Sequence, residues 1–414
     1  MSALAQVRLV ILQYAGDLRE AYHLLTQSGK QEYFSHRYTI ESSIEIGRQI
    51  DEVIHVCCKT SSEYSELLEP GLRAVGGNLD PYREPKRLLE LIQRQKPTHL
   101  VVHFPLGAAF KWAKQNNVKV IGLFADSFQG NGLLAKLRNF RLSSMLNNDA
   151  VDLVANHGLS ACHSLKHIGV RPSKIIPWDF PYEITPSDFA PKQLGKAIID
   201  NKNIVYVGRV VQTKGVGDAL NALAELKQSG ITPNLTLIGK GELDWFRAEI
   251  NRLGLDAQVT LAGGLSHDQV LAKMRWADIV LVPSRHAYPE GLPLTIYEAL
   301  TVRTPLIVSD HPMFLGKFEL ERDVLMFPEK DVAALAHCIE TLLTNAELYQ
   351  ALSLNSAAAW SRLQLPVKWH QLIEQWISDT PESRRWLFQH SLERCSYQQQ
   401  QLSSSRLQPA LTRS

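Results

Sequence analysis

Apolar, β-branched runs alternate with amphipathic stretches along nearly the whole chain. In the first half, residues 7–13, 52–58, 72–75, 98–103, 118–124 and 151–155 are short and almost continuously apolar, and each is expected to be a strand. Strands apolar on both faces belong to a parallel sheet covered by helices on both sides. Stretches with helical spacing lie between several of them, including 85–95 and 158–168. The second half repeats the arrangement, with strands expected at 204–207, 235–238, 259–262, 279–282, 306–308 and 324–327. Its helices are expected at 216–228, 243–253, 266–276, 292–300 and 332–343. The pattern predicts two doubly wound, Rossmann-like α/β domains facing a cleft, one over 1–180 and one over 203–365. Between them, 181–202 carries Pro181, Pro186 and Pro191 among polar residues and reads as a linker. After Pro366 the pattern is helical again to 396, with Trp369, Trp376 and Trp386 as expected anchors on the body. The Gln/Ser-rich end, 397–414, is expected to be disordered.

Composition narrows the class without naming a chemistry. At 414 residues the chain exceeds what one ordinary core supports, in keeping with two domains. It is 45% hydrophobic and 21% charged with a formal net charge of +2, a balance that gives no support to a nucleic-acid partner. No apolar run approaches the ~20 residues that span a bilayer. The opening residues lack a basic region and a small-residue cleavage site and read as a first strand. Five cysteines (Cys57, Cys58, Cys162, Cys338, Cys395) are odd in number and show no metal spacing, which fits a reducing cytosol.

The chemistry concentrates at successive strand ends of the second half. Residues 277–284 close a strand on a loop, and Glu290-Gly291-Leu292-Pro293-Leu294 leads into a helix carrying Glu298. Unpaired amides at such a helix start favour anions. A carboxylate beside them suits hydroxyl groups better than phosphate, so Glu290 and Glu298 point to a sugar and a ribose beside a diphosphate. Taken singly, they would read as a loop carboxylate and a solvated helix face. Strand 204–207 runs into Gly208-Arg209, then Lys214-Gly215, setting two cations at a strand end where a diphosphate needs neutralising. The next two strands end on Gly239-Lys240-Gly241 and on Gly263-Gly264. No DxD-like acidic triplet stands near a strand end, so no metal site is expected.

Together these motifs resemble the retaining GT-B-fold glycosyltransferases of family 4, over about 203–343. The resemblance implies transfer of a sugar from a nucleotide diphosphate sugar to a sugar or lipid-linked acceptor, with retention of configuration and no cofactor. It implies that Arg209 and Lys214 bind the diphosphate, that Glu290 contacts the donor sugar, and that Glu298 holds the ribose. Amides of Gly291, Leu292, Pro293 and Leu294 and the turns at Gly208, Gly239, Gly241 and Gly263 would complete the donor site. On this reading Lys214→Ala lowers turnover with little effect on folding. A sugar-nucleotide epimerase on the same scaffold and a non-catalytic interaction subunit stay open as alternatives.

The first half is less explicit. Residues 103–107 suit a helix start at a strand end. Where many members of that family place a histidine, Ala125-Asp126 stands, so Asp126 is either an acceptor-side catalytic group or a helix cap. His157 is likewise a site candidate or a cap for the next helix. Gly16-Asp17 replaces the glycine-rich loop common in the family. The stretch Gly132 to Leu146 is apolar and basic, with Leu133, Leu134, Leu137, Phe140 and Met145 beside Lys136, Arg138 and Arg141. It fits either a peripheral contact with the inner membrane face or a packed helix with snorkelling cations.

Overall fold

A computed structural model describes residues 3–31, 35–128, 132–195 and 202–395. The chain divides into two units, described separately: Met1–Pro181 with Leu365–Cys395, and Tyr182–Gln364.

In the first unit β1 (Arg8–Ala15) is followed by α1 (Leu18–Ser28) and α2 (Ser35–Gly47), then β2 (Glu52–Lys59), β3 (Tyr64–Glu69) and β4 (Leu72–Gly76). The chain continues through α3 (Pro85–Arg94), β5 (His99–Val102), α4 (Gly107–Gln115), β6 (Lys119–Phe124), α5 (Leu133–Leu146), β7 (Val151–His157), α6 (Leu159–His167) and β8 (Ile175–Trp178). Among the described residues these strands form one sheet in the order β3-β4-β2-β1-β5-β6-β7-β8. All its neighbours run parallel except β3, which lies antiparallel on β4 at the edge. The parallel strands bury both faces, as continuous apolar runs require, whereas β3 alternates and stays half-exposed. Strand order reverses between β1 and β5, and the crevice at their carboxyl ends is where such sheets take ligands.

The second unit contains β9 (Asn203–Val207), α7 (Val216–Gln228), β10 (Asn234–Ile238), α8 (Leu243–Arg252), β11 (Val259–Gly263), α9 (His267–Trp276), β12 (Ile279–Val282) and α10 (Leu294–Thr301). It ends with β13 (Leu306–Ser309), β14 (Leu325–Phe327), α11 (Val332–Thr344) and α12 (Ala346–Leu363). Its strands are all parallel in the order β11-β10-β9-β12-β13-β14, which reverses between β9 and β12. One face is filled by α7 and α11 (Leu220, Leu223, Ile339, Leu342), the other by α9 and α10 (Met274, Ile296, Leu300).

The residues expected to be a linker are, as far as they are described, packed on the second unit. Thr185 caps a short turn at Pro186–Asp188, and Arg303 donates to the Pro186 carbonyl at 2.8 Å. The Lys192 amide donates to the Ser353 hydroxyl at 2.7 Å while its ammonium donates to the Arg275 carbonyl at 2.8 Å. Burial lowers the Lys192 pKa to about 8. Prolines here set the chain direction of a docked segment, in which Thr185, Asp188 and Lys192 have hydrogen-bond partners.

After α12 the chain returns to the first unit as α13 (Trp369–Ser378) and α14 (Pro381–Gln389). Trp369 and Trp376 are buried in that unit's core with Leu372 and Ile373, and the Trp376 indole donates to Asp152 at 2.8 Å. Trp386 packs on the same core and stays partly exposed. Residues 397–414 lie outside the described residues. No helix among the described residues is long and apolar enough to cross a membrane.

Candidate active site

The reversal point of the second sheet gathers the residues singled out from its motifs. Gly208 and Arg209 follow β9, and Lys214 ends a short turn before α7. Pro283 to Pro293 connect β12 to α10, whose first turn is tied to the end of β9 by Thr295 donating to the Val207 carbonyl at 3.2 Å. That helix begins at Leu294 rather than at Leu292, because Pro293 holds an extended conformation at its N-cap. The Leu292 side chain is core, so only its backbone faces outward chemistry. The first-turn amides of α10 stand over the reversal point of the sheet, where an anion gains from the helix dipole.

Both glutamates lie against a basic side chain. Glu290 is buried, and its Oε1 takes a hydrogen bond from the Ser284 hydroxyl at 2.7 Å and an ion pair from Lys214. The Lys214 ammonium also sits 4.4 Å from the centre of the Tyr288 ring. Such a cation is fixed in place rather than solvated, and its side chain is only 12% exposed. Glu298, on the second turn of α10, lies 3.1 Å from Nε2 of His267, the first residue of α9. Arg209 is exposed and forms no ion pair among the described residues, so its charge is available to an incoming anion.

A second ring of contacts fixes the 284–290 loop. Arg285 clamps buried Asp218 of α7 through two hydrogen bonds of 2.8 and 2.6 Å, and its amide donates to the Thr213 carbonyl at 3.1 Å. His311, just after β13, has Nε2 3.1 Å from the Tyr288 carbonyl and accepts the Met313 amide at Nδ1, 3.2 Å away. These partners require the neutral tautomer protonated at Nε2, and burial lowers the His311 pKa in the same direction. Ser284, Tyr288, His267, His311 and the Arg285–Asp218 pair escape a sequence reading. Apart from Ser284, which meets Glu290 within the same loop, each has its partner a strand or more away.

The glycines divide into two kinds. Gly215 has φ +72°, and a Cβ there would run into the Pro283 carbonyl; Cβ atoms on Gly239 and Gly241 would meet the carbonyls of Gly208 and Val210. These three allow the loops after β9, β10 and β12 to touch, so their reason is backbone packing before any ligand arrives. Gly263 has φ +68° with open space beside it. Gly263→Ala is therefore expected to cost about 1–2 kcal/mol for a left-handed alanine. Gly215→Ala adds an overpacking cost of about 1–3 kcal/mol. Thermal unfolding of both variants checks this, and equal losses would refute the distinction.

In the first unit, Asp126 lies just past β6, where burial raises its carboxyl pKa. It does not cap α5, whose N-cap is Gly132 without a side-chain bond. Near the β1/β5 reversal Tyr14, Phe104 and Tyr82 meet with ring centres 5.6–5.9 Å apart, and Tyr82 is exposed. His157 leaves the candidate set. It neither caps α6, whose N-cap is Gly158, nor opens to solvent; its Nε2 is 3.1 Å from buried Asp179 and its ring packs on Trp178 and Phe180. His103 is half-buried at the end of β5, and burial of its ring lowers its pKa to about 4. Asp17 caps α1, accepting the Arg19 amide at 3.0 Å, and pins the Tyr64 hydroxyl. Burial pushes the Cys57 and Cys58 thiols up to about 12, so neither is a nucleophile near neutral pH.

The sequence and the fold have known counterparts. Residues 192–358 match the family model of the glycosyl transferases group 1. The group 1 match covers less than half of the chain and includes every residue placed at the β9/β12 reversal. Over 38% of this chain it is 29% identical to the alpha-D-kanosaminyltransferase of Streptomyces kanamyceticus, spanning 40% of that protein. Over 37% it is 32% identical to the amylovoran biosynthesis glycosyltransferase AmsK of Erwinia amylovora, spanning 38% of it. The chain thus matches about two fifths of the length of these curated relatives. Among solved structures, sucrose-phosphate synthase from Thermosynechococcus elongatus superposes with a TM-score of 0.67 at 17% identity, covering 93% of this chain and all of that one. HepE of Anabaena, solved with UDP-glucose, gives a TM-score of 0.66 at 14% identity, over 91% of this chain and all of that one. At these identities the likeness establishes the fold, the two-domain α/β architecture of GT-B glycosyltransferases.

Proposed function

We propose that this chain is a retaining glycosyltransferase that moves a sugar from a nucleotide diphosphate sugar to a sugar or lipid-linked acceptor in polysaccharide or glycoconjugate biosynthesis. The observation that carries this reading is the meeting of fixed Lys214, exposed Arg209, the α10 amides and Glu298 at one reversal point inside the group 1 region. The neighbour HepE, solved with UDP-glucose, supports a sugar nucleotide as donor.

In the reaction the bond between sugar C1 and the phosphate oxygen breaks, and its electron pair leaves with the diphosphate. Lys214, Arg209 and the α10 amides hold that growing charge without rearranging, which lets cations do the work otherwise given to a metal. The acceptor hydroxyl forms the new C1–O bond on the same face and passes its proton to the leaving phosphate oxygen. Glu290 is a poor nucleophile for a double displacement, since Lys214 and Ser284 both engage its Oε1. It orients donor hydroxyls and Lys214, while Glu298 takes the ribose hydroxyls. On the first unit, Asp126 and the face of Tyr82 are suited to an acceptor sugar, one for hydroxyls and one for C–H surfaces. A lipid-linked acceptor would put the work at the cytoplasmic face of a membrane, which is the location we propose.

Proton NMR of the product made from an α-linked sugar nucleotide tests the reading. An α-linked product is expected; a β-linked product would overturn retention. Altered sugar nucleotide released without acceptor would indicate an epimerase instead.

A further inference from the structure

The helix α5 is built inside out. Its buried residues include Asn139, Ser143 and Leu146, two of them polar. The large apolar ones point away: Leu133 is 84% exposed, Leu134 85%, Phe140 69% and Leu137 46%. At 100° per residue Leu133, Leu137 and Phe140 fall on one stripe, with Leu134 beside it. Lys136 flanks the stripe on one side, Arg138 and Arg141 on the other, and all three are exposed. None forms an ion pair among the described residues, and the helix has no Asp or Glu. The snorkelling alternative fails, because there the cations would reach over a buried apolar face.

We infer that this face of α5 is a docking surface for an anionic lipid bilayer. The charge pattern selects this occupant. A second copy docked symmetrically would set three cations against three cations with no carboxylate between them. Residues 396–414 contain two Arg and no Asp or Glu, so they offer the helix no opposite charge. An anionic headgroup layer supplies it, while the leucines and Phe140 reach the acyl boundary. Gly132, at the start of α5, is six residues beyond Asp126. If the proposed function holds, docking would therefore bring the acceptor-side carboxyl close to the membrane and make the acceptor a lipid-linked sugar.

Sedimentation of the full chain with vesicles of equal phosphatidylglycerol and phosphatidylcholine, and with phosphatidylcholine alone, tests the surface. Binding to the anionic vesicles is expected to exceed binding to the neutral ones by roughly a hundredfold at low salt and to fall in high salt. The triple variant Lys136→Gln, Arg138→Gln, Arg141→Gln should lose that preference. The triple variant Leu133→Ser, Leu134→Ser, Phe140→Ser should lose binding at any salt. Both should keep the wild-type melting temperature, because the altered side chains are exposed. Wild-type protein that stays in the supernatant with both vesicles, or variants that sediment like it, would overturn the inference. So would a concentration-dependent dimer abolished by the serine variant. Lys214→Ala should still sediment, which separates failure of the docking surface from failure of the donor site.

Discussion

Lys214→Ala should lose turnover by about 10²–10³-fold, the scale seen when a fixed charge-stabilising donor is removed from a site where negative charge develops. The same substitution should also lower stability, which the sequence alone does not lead one to expect. Lys214 is the cation paired with Glu290, and that carboxylate is 7% exposed, backed by Ser284 and a packed loop. Removing one member of a buried pair strands the other, at a cost of about 3 kcal/mol. Activity and melting temperature should therefore fall together. Glu290→Gln separates the two effects. The amide oxygen still accepts from Ser284 and from the Lys214 ammonium, which keeps the Tyr288 ring but loses its counter-ion, so stability should fall by less than in Lys214→Ala while turnover drops. A Lys214→Ala variant with unchanged kcat would remove the lysine from the reaction.

Glu298→Ala should weaken nucleotide binding by roughly 10–100-fold with a smaller effect on folding. A carboxylate accepting hydrogen bonds from ribose hydroxyls contributes about 1.5–3 kcal/mol. In the structure Glu298 lies 3.1 Å from His267, which is buried and fixed by its place at the start of α9. That contact limits the space open to the Glu298 carboxylate before ligand arrives. His267→Ala should accordingly weaken nucleotide binding too, by less than the loss of the carboxylate. Glu298→Gln keeps one acceptor oxygen and should fall between wild type and Glu298→Ala. Calorimetric titration with UDP, GDP and ADP checks the series. Equal affinities across it would end the ribose assignment.

The strands were legible because nearly all of them are buried on both faces, and such strands appear in a sequence as unbroken apolar runs. Strand β12 (Ile279–Val282) and helix α7 (Val216–Gln228) coincide with the expected 279–282 and 216–228. β3 was not legible, since an antiparallel edge strand alternates as Tyr64–Glu69 does. Neither was the return of α13 to the first unit, because Trp369 and Trp376 reveal an apolar face but not the sheet that receives it. The donor-site residues were readable wherever the motif is local in sequence, as in Gly208-Arg209 or Glu290 to Glu298. Their partners were not. Lys214 and Glu290 are separated by 76 positions, and His311 reaches the Tyr288 carbonyl across 23. His157 shows the opposite case, a histidine at a strand end that looks reactive in sequence and proves to be enclosed with Asp179.

The central claim is that the β9/β12 reversal point binds a nucleotide diphosphate sugar. A thermal-shift panel of UDP-, GDP-, ADP- and CMP-linked sugars, run on the wild type and on Glu298→Ala, tests it most directly. A ligand at about 100 times its dissociation constant adds about 2.7 kcal/mol of stability, well within reach of such an assay. The account predicts a shift with one diphosphate class, absent with the CMP-linked monophosphate sugar and lost in Glu298→Ala. No shift with any of them, or a shift of the same size in the variant, would contradict it.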